Sequence, residues 1–256
     1  ATVLSQAVSA LWVMAFLTGK KTHWHLRREN LRVSAKVVLP CIALGLSPFV
    51  MQSTESLIAI CFNASLLRYG GDVAVCAMTV MTSVMQFSSM PLHGLTQGAQ
   101  PIVSYNFGAR NAKRVREAFS CLLRACLSYS MVIWLLVELF PSFFVRIFNS
   151  DPALVAYASR SVRIYMACSG IFGIQTACQQ TFVALGNART SLLLAVWRKI
   201  ILLVPLIYIL PCFFADKAFA VFLAEPVADF GAVVMTSVMF CRQFRRSMRE
   251  LEETGE

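Results

Sequence analysis

Charge is scarce in this chain. Asp, Glu, Lys and Arg make up only 14% of its 256 residues, and 13 are acidic. Soluble domains carry about 25% charged residues. At 57% hydrophobic, a soluble particle of this length could not hide its apolar side chains, and a disordered chain would be far more polar. The histidines are His23, His25 and His93, and neither an HExxH stretch nor a His/Cys spacing suited to zinc is present. No glycine-rich loop ends in Lys-Ser/Thr, which excludes a built-in ATP motor. The nine cysteines are few for the length and sit mostly inside apolar runs, which excludes a disulfide scaffold. No metal, no cofactor and no catalytic cluster is expected, so the chain does not read as an enzyme.

What the chain does have is long apolar runs. Seven lie near 1–18, 37–67, 73–104, 118–143, 152–185, 190–213 and 218–241. Crossing hydrocarbon takes about 20 helical residues. The runs are continuous, whereas barrel strands alternate over about ten residues, so helices are expected. The fold class expected is all-α, a polytopic membrane helical bundle of about seven transmembrane helices. The connectors carry turn chemistry. Gly70-Gly71-Asp72 is a polar break, Asp151-Pro152 an N-cap followed by Pro at the first helical position, and Gly186-Asn187 a C-cap and hairpin. Pro40, Pro48, Pro91, Pro101, Pro205 and Pro211 are expected to interrupt their helices.

A net charge of +10 on a soluble protein would suggest nucleic acid. Here the basic residues alternate between connectors, which points to a lipid surface and to no nucleic-acid partner. Lys20, Lys21, Arg27, Arg28, Arg32, Lys36, Arg110, Lys113, Arg114, Arg116, Arg189, Arg242, Arg245, Arg246 and Arg249 fall on one side, and Arg68, Arg146 and Lys217 on the other. Cytoplasmic loops hold the Lys/Arg excess, so the tail is expected to be cytoplasmic. The first run then travels inward from outside. The chain also opens at Ala1 within an apolar stretch, so a piece of a longer chain is expected.

Acidic residues at membrane depth are costly and mark wet cavities or paired sites. Glu55 lies near the middle of its run. At 100° per residue, Pro48, Gln52, Glu55, Ser56, Ala59 and Asn63 share one arc of about 100°. This reads as a cavity wall, with Glu55, Gln52 and Asn63 as substrate- or ion-binding candidates; the alternative is a carboxyl that only packs helices. Glu225 and Asp229 are four apart and share a helix face. They read as a structural polar cluster, with Arg198 on the preceding run within reach as a neutralising base.

One stretch is distinctive: Gly94-Leu95-Thr96-Gln97-Gly98-Ala99-Gln100-Pro101, followed by Ser104-Tyr105-Asn106-Phe107-Gly108. It resembles the "QGAQP…YN(Y/F)GA" segment of the multidrug and toxic compound extrusion (MATE) family of secondary transporters. Weaker likenesses are Arg68–Asp72, Phe182–Arg189 and Glu225–Asp229. The resemblance implies a twelve-helix protein of two six-helix lobes. On that map 1–18 is the last helix of the N-terminal lobe, 19–36 a basic cytoplasmic linker, 37–241 the complete C-terminal lobe and 242–256 a cytoplasmic tail. It implies a multi-pass protein of the cell (plasma or inner) membrane, partnered by the missing N-terminal lobe and the lipid bilayer. Its implied activity is antiport, with small organic cations exported in exchange for H+ or Na+. Some members pair a carboxylate at the position of Glu55 with an acidic residue on the lobe's fourth helix; here residues 163–185 contain no Asp or Glu. Two rival readings stand beside this one: a flippase of lipid-linked saccharides, which needs a cationic cavity, and a non-transporting membrane subunit or inactive fragment.

Overall fold

The computed structural model describes residues 2–18 and 35–253, apart from the side chains at 2, 35–37, 40–48, 50–52, 188, 189 and 253. Residues 19–34, most of the expected linker, lie outside the described residues, as do 254–256. The chain divides into two units, Ala1–Phe49 and Val50–Glu256. In the first, α1 is Thr2–Thr18, a short apolar helix whose last hydroxyl, on Thr18, donates back to the Met14 carbonyl at 2.8 Å.

Helix α2 is Ala35–Gly108. Its 74 residues far exceed one crossing. It changes direction at Gly71, with φ 66° and ψ −163°, a region open essentially only to glycine. Two limbs result. Then follow α3 (Ala112–Leu139), α4 (Pro141–Phe148), α5 (Pro152–Tyr165), α6 (Ser169–Ala184) and α7 (Ala188–Val196). A π-helical segment, Trp197–Leu203, leads into α8 (Val204–Ile209) and a 3₁₀ turn, and α9 (Lys217–Glu253) closes the described chain. All described elements are helical. Among the described residues, four helical stretches are long and apolar enough to cross a membrane: 53–108, 112–139, 190–212 and 217–252. The fold is an all-α polytopic helical bundle.

The structure corrects several expected boundaries. The run at 152–185 is not one helix. It breaks at Met166–Cys168, where Ala167 N–H donates to Ile164 and Ser169 N–H to Met166, ahead of the Ser169–Gly170 pair, a common kink sequence. α3 starts six residues before the apolar run, because the Asn111 side chain accepts from Arg114 N–H at 3.0 Å and caps it. Pro40, Pro48, Pro91 and Pro101 do not break α2, whose only non-helical residue is Gly71. One missing N–H is a local loss that neighbouring helices can make good in a membrane bundle. The tail is helical as far as Glu253.

The main core joins both limbs of α2 to α3, α4, α5, α8 and α9 through Phe62, Leu66, Met81, Val137, Val145, Val162, Ile207 and Phe222. A second cluster, near the far end of α9, stacks Phe119, Phe182, Phe240 and Phe244 with centroids 4.5–5.2 Å apart. Outward faces stay apolar, as at Val132, Leu135, Leu136, Ile200 and Ile201. In water such faces would drive aggregation; in hydrocarbon they are in their own solvent.

Candidate functional site

The site is organised by the π-helical segment. Pro205 lacks an N–H, so the carbonyl four residues before it has no α-helical donor. The helix widens ahead of it, and Val204 N–H reaches back five residues to the Lys199 carbonyl. Such widened turns recur at functional sites. Here the segment carries two adjacent bases, Arg198 and Lys199.

Arg198 turns inward. Its Nε donates to Asp229 Oδ1 at 2.6 Å, and its Nη2 lies 2.9 Å from Glu225 Oε1 and 2.5 Å from Asp229 Oδ1. The three side chains are 9%, 7% and 5% exposed. The guanidinium also lies 5.0 Å from the Phe172 ring centroid. One base therefore serves two carboxylates in a setting that cannot solvate them. Lys199 turns to α2 and pairs through Nζ with Glu55. Exposure in this pair is uneven: 15% for the lysine side chain and 53% for the glutamate. The amine is largely buried while the carboxylate stays half exposed.

Asp229 also borders a small cavity, about 20 Å³, enough for one water. Ser88, Ser89, Tyr129, Ser130 and Ser169 share its lining. The Tyr129 hydroxyl donates to the Ser88 carbonyl at 3.1 Å, and the hydroxyls of Ser130 and Ser169 are buried without a hydrogen-bonding partner.

Of the residues singled out from sequence, Arg198, Glu225 and Asp229 come together. Glu55, Ser56, Ala59 and Asn63 lie on an exposed strip of α2, while Ile58 and Phe62 on other faces are buried in the core. The side chain of Gln52 lies outside the described residues. Asn63 shares the strip but is two turns, about 12 Å, from Glu55. The Lys199–Glu55 pair and the serine-lined cavity were missed. Adjacent bases in the same run were a signal for the first; nothing in the spacing of the serines marked the second.

The MatE family profile matches residues 48–209, a stretch that holds Glu55, Arg198 and Lys199. The chain belongs to the MatE family. Its similarity to curated relatives is distant but long. It is 20% identical over 234 residues to the multidrug export protein MepA of Staphylococcus haemolyticus (strain JCSC1435), covering 91% of this chain and 51% of that protein. To MepA of Staphylococcus aureus (strain N315) it is 20% identical over 240 residues, covering 93% and 52%. Among solved structures, a ligand complex of the MATE multidrug transporter DinF-BH is 34% identical with a TM-score of 0.75, covering 94% and 54%. An inward-facing MATE transporter of the MOP superfamily is 16% identical with a TM-score of 0.84, covering 100% and 58%, a likeness of fold. The chain spans about half the length of the relatives it matches.

The MatE-like motif forms the end of α2. Asn111 N–H donates to the Asn106 carbonyl at 3.0 Å, Ala109 N–H to Tyr105 at 2.9 Å, and Arg110 takes φ 57°. Asn106 Nδ2 donates to the Ile102 carbonyl, and Ser104 Oγ ties the segment to the Ala184 carbonyl on α6 at 2.9 Å. Gln100 is half-buried, whereas Gln97, Gly98, Pro101 and Tyr105 are exposed. A Cβ at Gly94, Gly98 or Gly108 would meet open space. Packing within the described chain therefore does not demand glycine there.

Proposed function

We propose that this chain is the C-terminal lobe of a drug/cation antiporter of the plasma membrane. Glu55 is its working carboxylate and Lys199 its internal counter-ion. The observation that carries this reading is the uneven Lys199–Glu55 pair, a half-exposed carboxylate neutralised by a largely buried amine; the apolar run around Glu55 puts that carboxylate at membrane depth in this reading. An organic cation that reaches Glu55 competes with Lys199 for it. Glu55, Glu225 and Asp229 are three carboxylates facing two bases, so the cluster has room for one proton or one monovalent cation, H+ or Na+. The names of the MepA relatives and of the DinF-BH structure, all multidrug transporters, support the substrate class. Alternating access rocks one bundle against another around a shared site, so the other lobe is the required partner. The tail and the 109–111 turn face the cytoplasm in this reading, following the Lys/Arg bias.

A flippase of lipid-linked sugars would offer free bases to a pyrophosphate. Arg198 and Lys199 are both engaged by carboxylates, so that reading lacks support. The test is reconstitution of the intact natural gene product in proteoliposomes, with tetraphenylphosphonium as the probe and a pH or Na+ gradient imposed separately. Uphill flux under one gradient is expected, with none from the 256-residue chain alone. Absence of gradient-driven flux in the intact protein would leave the non-transporting subunit as the better reading.

A further inference from the structure

Arg242, Arg245, Arg246 and Arg249 recur at i, i+3, i+4 and i+7, the spacing that gathers side chains on one helix face. They lie within the unbroken helix α9. Packing fixes the rotation of that helix. Met248 and Leu251 are buried against Val103, Ala112, Val115 and Ala184, and Phe240 and Phe244 join the phenyl cluster. The four arginines are accordingly exposed and line one concave surface with Glu250. Arg246 pairs with Glu250 at 2.8 Å; among the described residues Arg242, Arg245 and Arg249 make no ion pair.

Position along the helix matters as much as charge. About 20 residues of α9 beyond Lys217 cross the hydrocarbon, and Arg242, 25 residues beyond Lys217, lies one to two turns past that boundary. Arg249 then lies about 10 Å further along the axis, so the stripe runs through the headgroup layer. A topology signal needs basic residues, but neither one shared face nor arginine throughout. Planar guanidiniums on one face suit bidentate phosphate contacts. Beside the stripe, Arg116 at the start of α3 pairs with Glu252 at 2.9 Å, and Lys113 and Arg114 sit in the first turn of α3. Basic side chains there oppose the helix dipole, so helix stability does not account for them.

We propose that the arginine stripe of α9, flanked by the first turn of α3, is a binding site for anionic phospholipid headgroups. It rests on the membrane-spanning fold, not on the efflux reading, so failure of either leaves the other standing.

The test uses the purified intact protein in neutral detergent. Native mass spectrometry counts retained phosphatidylglycerol and phosphatidylcholine, with soluble glycerol phosphate as competitor. Wild type is expected to retain phosphatidylglycerol preferentially, less so at high salt, and glycerol phosphate at equal concentration is not expected to displace it. Changing Arg242, Arg245 and Arg249 together to Gln is expected to weaken retention on the order of a hundredfold, about fivefold per residue. The triple Lys variant is expected to be intermediate. Gln is a good helix former at exposed positions, so an unchanged thermal midpoint is expected in neutral detergent. Equal retention by the Gln variant, no lipid preference in wild type, or full displacement by glycerol phosphate would each overturn the proposal. The wild-type arms decide it even if the triple variant does not fold.

Discussion

Arg198 and Lys199 are consecutive in the π-helical turn but serve different helices: Arg198 holds Glu225 and Asp229 on α9, and Lys199 holds Glu55 on α2. A single widened turn thus separates a locked ion cluster from a pair that is open on one side.

Removing the locked base should cost much more than removing the whole cluster. Arg198→Met leaves two buried carboxylates facing each other, and loss of one partner from a buried ion pair costs about 3–5 kcal/mol. The triple change Arg198→Met, Glu225→Gln, Asp229→Asn removes the charges together and should recover most of that stability. Thermal unfolding in detergent measures both; an Arg198→Met protein as stable as wild type would mean the cluster is not locked.

Gly71 should resist substitution because of its backbone and not its surroundings. A Cβ there would meet nothing within 4 Å, but φ is +66°. Gly71→Ala is expected to cost about 1–3 kcal/mol, read as a lower thermal midpoint. An unaffected midpoint would mean that the turn adopts another conformation.

At Gly173 the reason is opposite. A Cβ would lie 2.5 Å from the Cys126 carbonyl oxygen and from Ser130 Oγ, whereas at Gly170 the nearest atoms are side-chain atoms of Met131 and Trp134 at 3.1–3.3 Å. Backbone cannot yield as side chains can. Gly173→Ala should therefore destabilise by about 1–3 kcal/mol, and Gly170→Ala by less. A reversed order would show that α3 and α6 are not in this close contact.

Much of this architecture was legible in the sequence, and the misses have physical causes. Apolar run length identified the helices, and Gly71, Asp151-Pro152 and Gly186 marked real turns because each meets a local backbone need. The Met166–Cys168 break escaped because it carries no proline, and the α3 start because Asn111 caps a turn of charged residues. Four-residue spacing put Glu225 and Asp229 on one face, within reach of Arg198. Lys199–Glu55 joins residues far apart in the chain: the adjacent bases hinted at a second pairing, but its partner shows only in the folded packing of α2 against the π-helical turn.

The start of the second limb of α2 and the first turn of α3 should label from opposite sides. Single cysteines at Asp72 and Lys113, in a background lacking the nine native cysteines, are to be probed with an impermeant maleimide on intact cells. Asp72→Cys should react from outside and Lys113→Cys only after permeabilisation. Outside labelling of position 113 would reverse the proposed topology.

The most direct measurement is gradient-coupled export of tetraphenylphosphonium by the intact gene product carrying Glu55→Gln, at matched membrane expression. Gln keeps shape and hydrogen bonding but cannot exchange charge, and Lys199 is left without its carboxylate. Coupled export is expected to fall at least about tenfold, roughly 1.4 kcal/mol, while Lys199→Met with Glu55 intact binds the cation more tightly than wild type. Wild-type coupled export by Glu55→Gln would contradict the account and assign Glu55 to packing alone.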